Sequence, residues 1–197
     1  MFLTTIRIVL LTCIALIAAA SIANAQGDPH AAETARANAL IKSGNQKMRD
    51  GDFDGAIADF NQVIEIDKIF PENVQSGSYL NRGLAFQKKG DFDAALADFN
   101  KAIKLQSNNF YAFQDRAGLY DKQNQLDKAL ADYSKAIKLA SNFAPAYRGR
   151  GMILLKQGKD SEAEADFTKY VELFPNGKDS LERDKQKIKD ERAQKKG

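Results

Sequence analysis

The 197-residue chain has one cysteine, one histidine and no tryptophan. A lone cysteine supports neither an intramolecular disulfide nor a zinc site made of thiolates. A single histidine is too few for a serine–histidine–carboxylate set or a histidine-rich metal centre. We therefore expect no enzymatic activity, no bound metal and no cofactor.

The first 25 residues have the pattern of a secretory signal peptide. Arg7 is their only charge, residues 8–20 form an apolar run, and residues 23–25 (Ala-Asn-Ala) form a small-x-small cleavage site. The run is shorter than the roughly 18 to 20 apolar residues that span a bilayer. We expect cleavage after Ala25 and a periplasmic or secreted mature chain. A retained membrane anchor is the alternative.

Charge does not indicate a nucleic-acid partner. Without the first 25 residues the chain has 28 basic and 26 acidic residues. A nucleic-acid-binding protein normally concentrates its basic residues on one face. Only the segment from Lys178 onward is mildly basic, with 8 basic and 5 acidic residues. This tail leaves contact with an anionic membrane surface as an alternative.

One ten-residue block occurs four times. Residues 51–60, GDFDGAIADF, return almost unchanged as residues 90–99, then as residues 124–133, and in a more divergent form as residues 158–167. The four blocks start 39, 34 and 34 residues apart. A period near 34 is typical of stacked helical hairpins, which bury their core between neighbouring repeats.

Each repeat is predicted to be two helices. In the second repeat, Tyr79, Gly83 and Phe86 lie on one face of a helix that Gly90 would end. Small residues such as Gly83 would let the paired helices approach closely, with Phe99 and its equivalents filling the gap to the neighbouring helix. Aromatic residues at helical spacing indicate packing and not a ligand site.

The recurring pattern resembles the tetratricopeptide repeat family over about residues 37–175. The resemblance implies an all-α, right-handed superhelix of about four helical hairpins plus a C-terminal capping helix. Lys47 departs from the family pattern at an apolar position, and an insertion near Pro71 separates the first two repeats. The expected segments are a signal peptide (1–25), a flexible lead (26–36), the repeat domain (37–176; repeats at about 37–70, 76–109, 110–143 and 144–176) and a charged helix or tail (177–197).

In this family the first helix of each repeat lines a concave surface that binds a protein or peptide. Carried onto this chain, the binding positions are Ile41, Lys42, Asn45, Arg49, Leu80, Asn81, Leu84, Lys88, Tyr111, Gln114, Asp115, Lys122, Arg148, Met152, Leu155 and Lys156. Because cations outnumber carboxylates, we expect a peptide with apolar anchors and some acidic character. Family members that grip the C-terminal carboxylate of cytosolic chaperones use cations where this chain has Ile41, Tyr111 and Asp115, so that mode is not expected.

Acidic and basic residues also recur in register inside the repeats. Aspartate occupies one repeat position throughout and arginine another in repeats two to four: Asp59, Asp98, Asp132 and Asp166, with Arg82, Arg116 and Arg150. The fixed spacing predicts a structural ladder of Asp–Arg pairs. Pairing within repeats would leave Asp59 without an arginine, and pairing between successive repeats would leave Asp166 without one. The sequence is compatible with either arrangement.

These features together predict an exported protein–protein interaction module, a periplasmic adaptor or assembly scaffold. The alternative is a structural, envelope-tethering component that uses the basic tail or an uncleaved N-terminal segment at a membrane. The sequence does not indicate an oligomeric state.

Overall fold

The computed structural model describes residues 30–68 and 72–194, and within them it contains helices and no strand. The predicted signal peptide lies outside the described residues. The α-helices are α1 (Ala31–Asp50), α2 (Phe53–Asp67), α3 (Glu72–Lys89), α4 (Phe92–Leu105), α5 (Phe110–Lys122), α6 (Leu126–Leu139), α7 (Ala144–Lys156), α8 (Asp160–Leu173) and α9 (Lys178–Gln194). A single 3-10 turn, Pro175–Gly177, precedes α9. None of these helices is both long enough and apolar enough to cross a membrane.

The chain divides into two units, residues 1–39 and 40–197. In the first unit, the described residues are helical from Ala31 onward, although residues 26–36 were expected to form a flexible lead. The sequence here is rich in alanine and places Glu33 in the first turn, both of which favour helix.

The second unit is a stack of helical hairpins, which confirms the predicted all-α solenoid. Helix α3 packs against α4, α5 against α6, and α7 against α8, and each hairpin also packs against the next. In the first hairpin, Met48 of α1 packs against the buried Ala56 and Phe60 of α2. The core therefore lies between helices of the same and adjacent repeats.

The turns inside the hairpins form where the sequence predicted them. Gly90 adopts a φ of 93°, and Asn124, which replaces glycine in the third repeat, adopts a φ of 57°. These left-handed conformations suit glycine and asparagine better than other residues. Asp91 then caps α4, its Oδ1 accepting a hydrogen bond from the Ala94 amide at 3.2 Å.

Close packing within each hairpin depends on a small residue facing a large one. A Cβ atom built on Gly83 would lie 2.7 Å from the Phe99 ring, and one on Gly151 would lie 2.6 Å from the Phe167 ring. Both phenylalanines are almost completely buried. This confirms the predicted contact between the small and aromatic repeat positions.

The Asp–Arg pairs form within repeats. Arg82, Arg116 and Arg150 each lie 2.7 Å from the aspartate sixteen residues later in the same hairpin. In the first repeat, Ser43 stands at the arginine position, and Lys47 pairs with Asp59 at 2.8 Å instead. Because Lys47 lies one helical turn beyond Ser43 on the same face, a lysine at this unusual position reaches the same carboxylate.

Helix α9 covers the end of the stack. Its Leu181 and Ile188 share a buried cluster with Leu155 of α7 and Phe167 of α8. The buried ammonium of Lys185 lies 2.8 Å from Glu164 and 5.0 Å from the centre of the Phe167 ring. Two apolar contacts and a network of ion pairs therefore hold an otherwise polar helix in place.

Candidate partner-binding groove

The first helices of successive repeats lie next to each other. Helix α3 contacts α5, and α5 contacts α7. The Tyr133 ring lies between the last two, because Cβ atoms built on Gly118 of α5 and Gly149 of α7 would both be within 4 Å of it. These helices can therefore present one continuous surface, which we call the groove surface and define by the sixteen binding positions carried over from the repeat pattern.

Most of the sixteen residues are accessible. The exposed ones are Lys42, Asn45, Arg49, Lys88, Tyr111, Lys122 and Lys156, and the half-buried ones are Ile41, Leu80, Asn81, Leu84, Gln114, Asp115 and Arg148. Tyr111 is the most prominent apolar group, with half of its surface exposed (51 %). Folded proteins normally leave few such side chains together without a binding role.

Met152 and Leu155 require a correction to the predicted groove. Only 9 % and 1 % of their surfaces are exposed, because both pack in the cluster that contains Leu181 and Ile188 of α9. They stabilise the docking of the last helix and are not available to a partner. The open part of the groove surface therefore lies on α1, α3, α5 and the first half of α7.

The groove cations are of two kinds. Arg148 pairs with Asp184 of α9, and Lys156 pairs with Asp121 at 2.6 Å. Lys42 and Lys88, by contrast, are exposed and have no carboxylate within 4 Å in the described part of the chain. The free positive charge of the groove surface is therefore concentrated on its N-terminal half.

Asp115 gives the C-terminal half a different character. Burial raises the pKa of its carboxyl group to about 7, and no ion pair or hydrogen bond to a described residue compensates. Burial also raises the pKa of the nearby Tyr133 hydroxyl, with further contributions from the charges of Asp121 and Asp115. A group from a partner that donates a hydrogen bond or carries a positive charge would relieve this carboxyl.

A cavity of about 520 Å³ opens beside these residues. Its walls come from the groove positions Gln114 and Arg148, from the neighbouring second helices and from the turn before α9: Tyr133, Ala144, Pro145, Gly149, Tyr170, Phe174, Asn176, Gly177 and Ser180. The sequence analysis assigned the tyrosines to packing and did not predict a cavity. The available signal was Phe174, an aromatic residue outside the repeat pattern directly before a proline.

In residues 30–68 and 72–194, no group of three or more histidine, cysteine, aspartate or glutamate side chains is arranged to hold a metal ion. The chemistry that this surface offers is therefore apolar contact, hydrogen bonding and ion pairing.

The fold and this surface define an α-helical repeat solenoid with an open inner face. Tetratricopeptide repeat models match residues 77–109 and 144–176, and a TPR repeat model matches residues 119–158. The chain thus contains tetratricopeptide repeats, and the resemblance is confirmed for these residues. No curated protein matches the chain in sequence.

Solved structures with similar folds include other repeat proteins. PilF of Pseudomonas aeruginosa is 18 % identical with a TM-score of 0.70, over 83 % of this chain and 72 % of that one. MamA is 24 % identical with a TM-score of 0.61, over 78 % of this chain and 84 % of that one. The first TPR domain of Spaghetti (RPAP3), bound to the HSP90 peptide SRMEEVD, is 25 % identical with a TM-score of 0.54, over 60 % of this chain and 90 % of that one.

Proposed function

We propose that this chain is an exported interaction module, a periplasmic adaptor or assembly scaffold that binds a protein or peptide on its groove surface. The observation that carries the proposal is the row of accessible side chains on neighbouring first helices, with Lys42, Lys88 and Tyr111 among them. The peptide bound to the TPR domain of RPAP3 supports the class of partner. Concave repeat surfaces of this kind bind extended or helical segments through apolar anchors and matched charges.

The proposed partner differs from the acidic peptide of the RPAP3 complex. A C-terminal carboxylate placed over α5 would meet Asp115 and no cation at Tyr111. Lys42 and Lys88 favour acidic residues over α1 and α3. We therefore propose a segment whose acidic part contacts the N-terminal half of the groove surface and whose less acidic part contacts α5 and α7.

Export is the part of the proposal that rests on the first 25 residues. Cell fractionation tests it directly. A soluble periplasmic pool supports the adaptor, whereas release from membranes only by salt supports tethering through the basic tail. Release only by detergent supports an uncleaved anchor.

Crosslinking in intact cells followed by affinity capture tests the groove. The informative variant is Lys42→Glu with Lys88→Glu, because neither ammonium has a carboxylate partner in the described residues and reversal should not disturb the fold. The matched control is Lys104→Glu with Lys138→Glu, which makes the same charge change at exposed positions of α4 and α6. Partners lost only from the groove variant support the proposal, whereas equal capture by wild type and both variants contradicts it.

A further inference from the structure

The cavity beside Arg148 has aromatic walls. The Tyr133 and Tyr170 side chains form its buried sides, with 7 % and 6 % of their surfaces exposed. Phe174 lies at its rim, half exposed at 49 %, with its ring centre 5.8 Å from that of Tyr170. An exposed aromatic ring beside two buried ones can add an edge or face contact to an incoming ring.

The size and polar groups of the cavity suit part of a peptide. Its volume of about 520 Å³ lies within the range of 300 to 1,000 Å³ that is usual for ligand sites. The amides of Gln114 and Asn176 and the hydroxyl of Ser180 are placed among its lining groups. A large side chain and the peptide groups on either side of it would therefore fit both the apolar and the polar walls.

The charges around the cavity favour an uncharged occupant. Arg148 is its only charged lining residue, and Asp184 neutralises it. Asp115, adjacent to Gln114 on α5, has no cation partner among the described residues, so an added carboxylate would be repelled. The guanidinium has five N–H donors, so those not used by Asp184 can serve neutral carbonyl oxygens.

We propose that this cavity is an anchor site for an uncharged aromatic or long aliphatic side chain within a partner's peptide segment. Arg148 and Gln114 hold the carbonyl groups that flank the anchor, and Phe174 covers its ring. The proposal rests on the proposed function of the groove surface and names the chemistry that its C-terminal half selects.

The test is a titration of the purified chain with N-acetyl-L-tryptophanamide. Because the chain has no tryptophan, indole fluorescence reports the probe alone. We expect a dissociation constant on the order of 1 mM, with amide chemical-shift changes concentrated at residues 144–149 and 174–180. Phe174→Ala should weaken binding roughly fivefold to tenfold, and Phe92→Ala, at another exposed aromatic residue, should leave it unchanged.

Two further arms make the result decisive. Ser180→Phe adds bulk at the cavity without removing a core contact and should also weaken binding. N-acetyl-L-tryptophan, which carries a carboxylate, should bind no more tightly than the amide. The proposal is overturned if the probe does not bind, if its shifts lie elsewhere, or if the carboxylate form binds more tightly. Loss of partner capture by the Lys42 and Lys88 variant would leave the groove function standing even then, so the two failures are distinguishable.

Discussion

Arg116 donates hydrogen bonds from Nε and Nη2 to the two carboxylate oxygens of Asp132, at 2.7 and 2.8 Å. Its Nη1 donates a third, at 2.5 Å, to Oδ1 of Asn100 in the preceding repeat. The guanidinium also lies 5.6 and 5.8 Å from the ring centres of Phe113 and Tyr120 on its own helix. A single side chain therefore joins the two helices of one hairpin and connects that hairpin to the one before it.

Arg116→Ala is expected to lower the free energy of unfolding by about 3 to 5 kcal/mol, because it leaves the buried carboxylate of Asp132 without its cation. Thermal unfolding followed by circular dichroism should show a melting temperature lower by roughly 6 to 20 °C. Lys104→Ala, at an exposed position of α4, is the control and should change little. A melting temperature for Arg116→Ala within the scatter of that control would contradict a stabilising role for the ladder.

The hairpin fold could be predicted because its determinants recur within the sequence. A facing pair such as Gly83 and Phe99 is specified by spacing that repeats in register, so four copies give the same answer. The pairing of Arg116 could not be predicted in the same way. Its distances along the chain to the aspartates of its own and the neighbouring repeat are both constant, and only the packing of helices in space selects one.

The limits of the groove were harder to predict for a related reason. Met152 and Leu155 occupy positions that are open in earlier repeats, and they are buried only because α9 docks on them. That docking depends on two apolar residues and several ion pairs in a charged segment, a weak signal in sequence. The cavity behind Arg148 likewise depends on where the turn at Pro175 places Phe174.

Lys47→Met is expected to destabilise the first repeat although it restores an apolar residue at that position. The substitution removes the cation beside Asp59, which is only 6 % exposed. The expected loss at pH 7 is about 3 kcal/mol, measured by urea unfolding. Adding Ser43→Arg should recover much of it, since Ser43 stands where the other repeats have the paired arginine. No loss in the single variant would show that the pair does not stabilise this end of the stack.

The same pair predicts a dependence on pH. Burial raises the pKa of Asp59, but the hydrogen bonds from Lys47 and Ser43 outweigh it and leave that pKa below its ordinary value. The stabilisation is therefore fully present above the unfolded-state pKa, about 4, and is lost as the pH falls through the lower folded-state value. The difference in unfolding free energy between wild type and Lys47→Met should shrink from pH 7 to pH 3. An equal difference at both values would contradict this account.

Asp115→Asn should have the opposite dependence on pH. The pKa of Asp115 is about 7 in the folded chain against an ordinary value of 3.8, so the folded state binds the additional proton between these values. Stability therefore falls as the pH rises from about 4 to 7, and the cost is fully present above pH 7. We expect the substitution to raise the melting temperature at pH 8 and to change it little at pH 4. Asp93→Asn, at an exposed carboxylate of α4, should show no comparable gain, and a gain independent of pH would contradict the burial of Asp115.

Two glycines of α3 provide a matched test of how closely the hairpin helices pack. A Cβ atom on Gly77 would have no neighbour within 4 Å, whereas one on Gly83 would lie 2.7 Å from the Phe99 ring and 3.2 Å from Cβ of Asp98. Gly77→Ala should stabilise the chain by about 0.5 to 1 kcal/mol, because alanine favours helix. Gly83→Ala gains the same propensity but displaces a buried ring, so we expect a net loss of about 1 to 3 kcal/mol. Urea unfolding midpoints measure both, and two variants of equal stability would mean that α3 and α4 do not meet at Gly83.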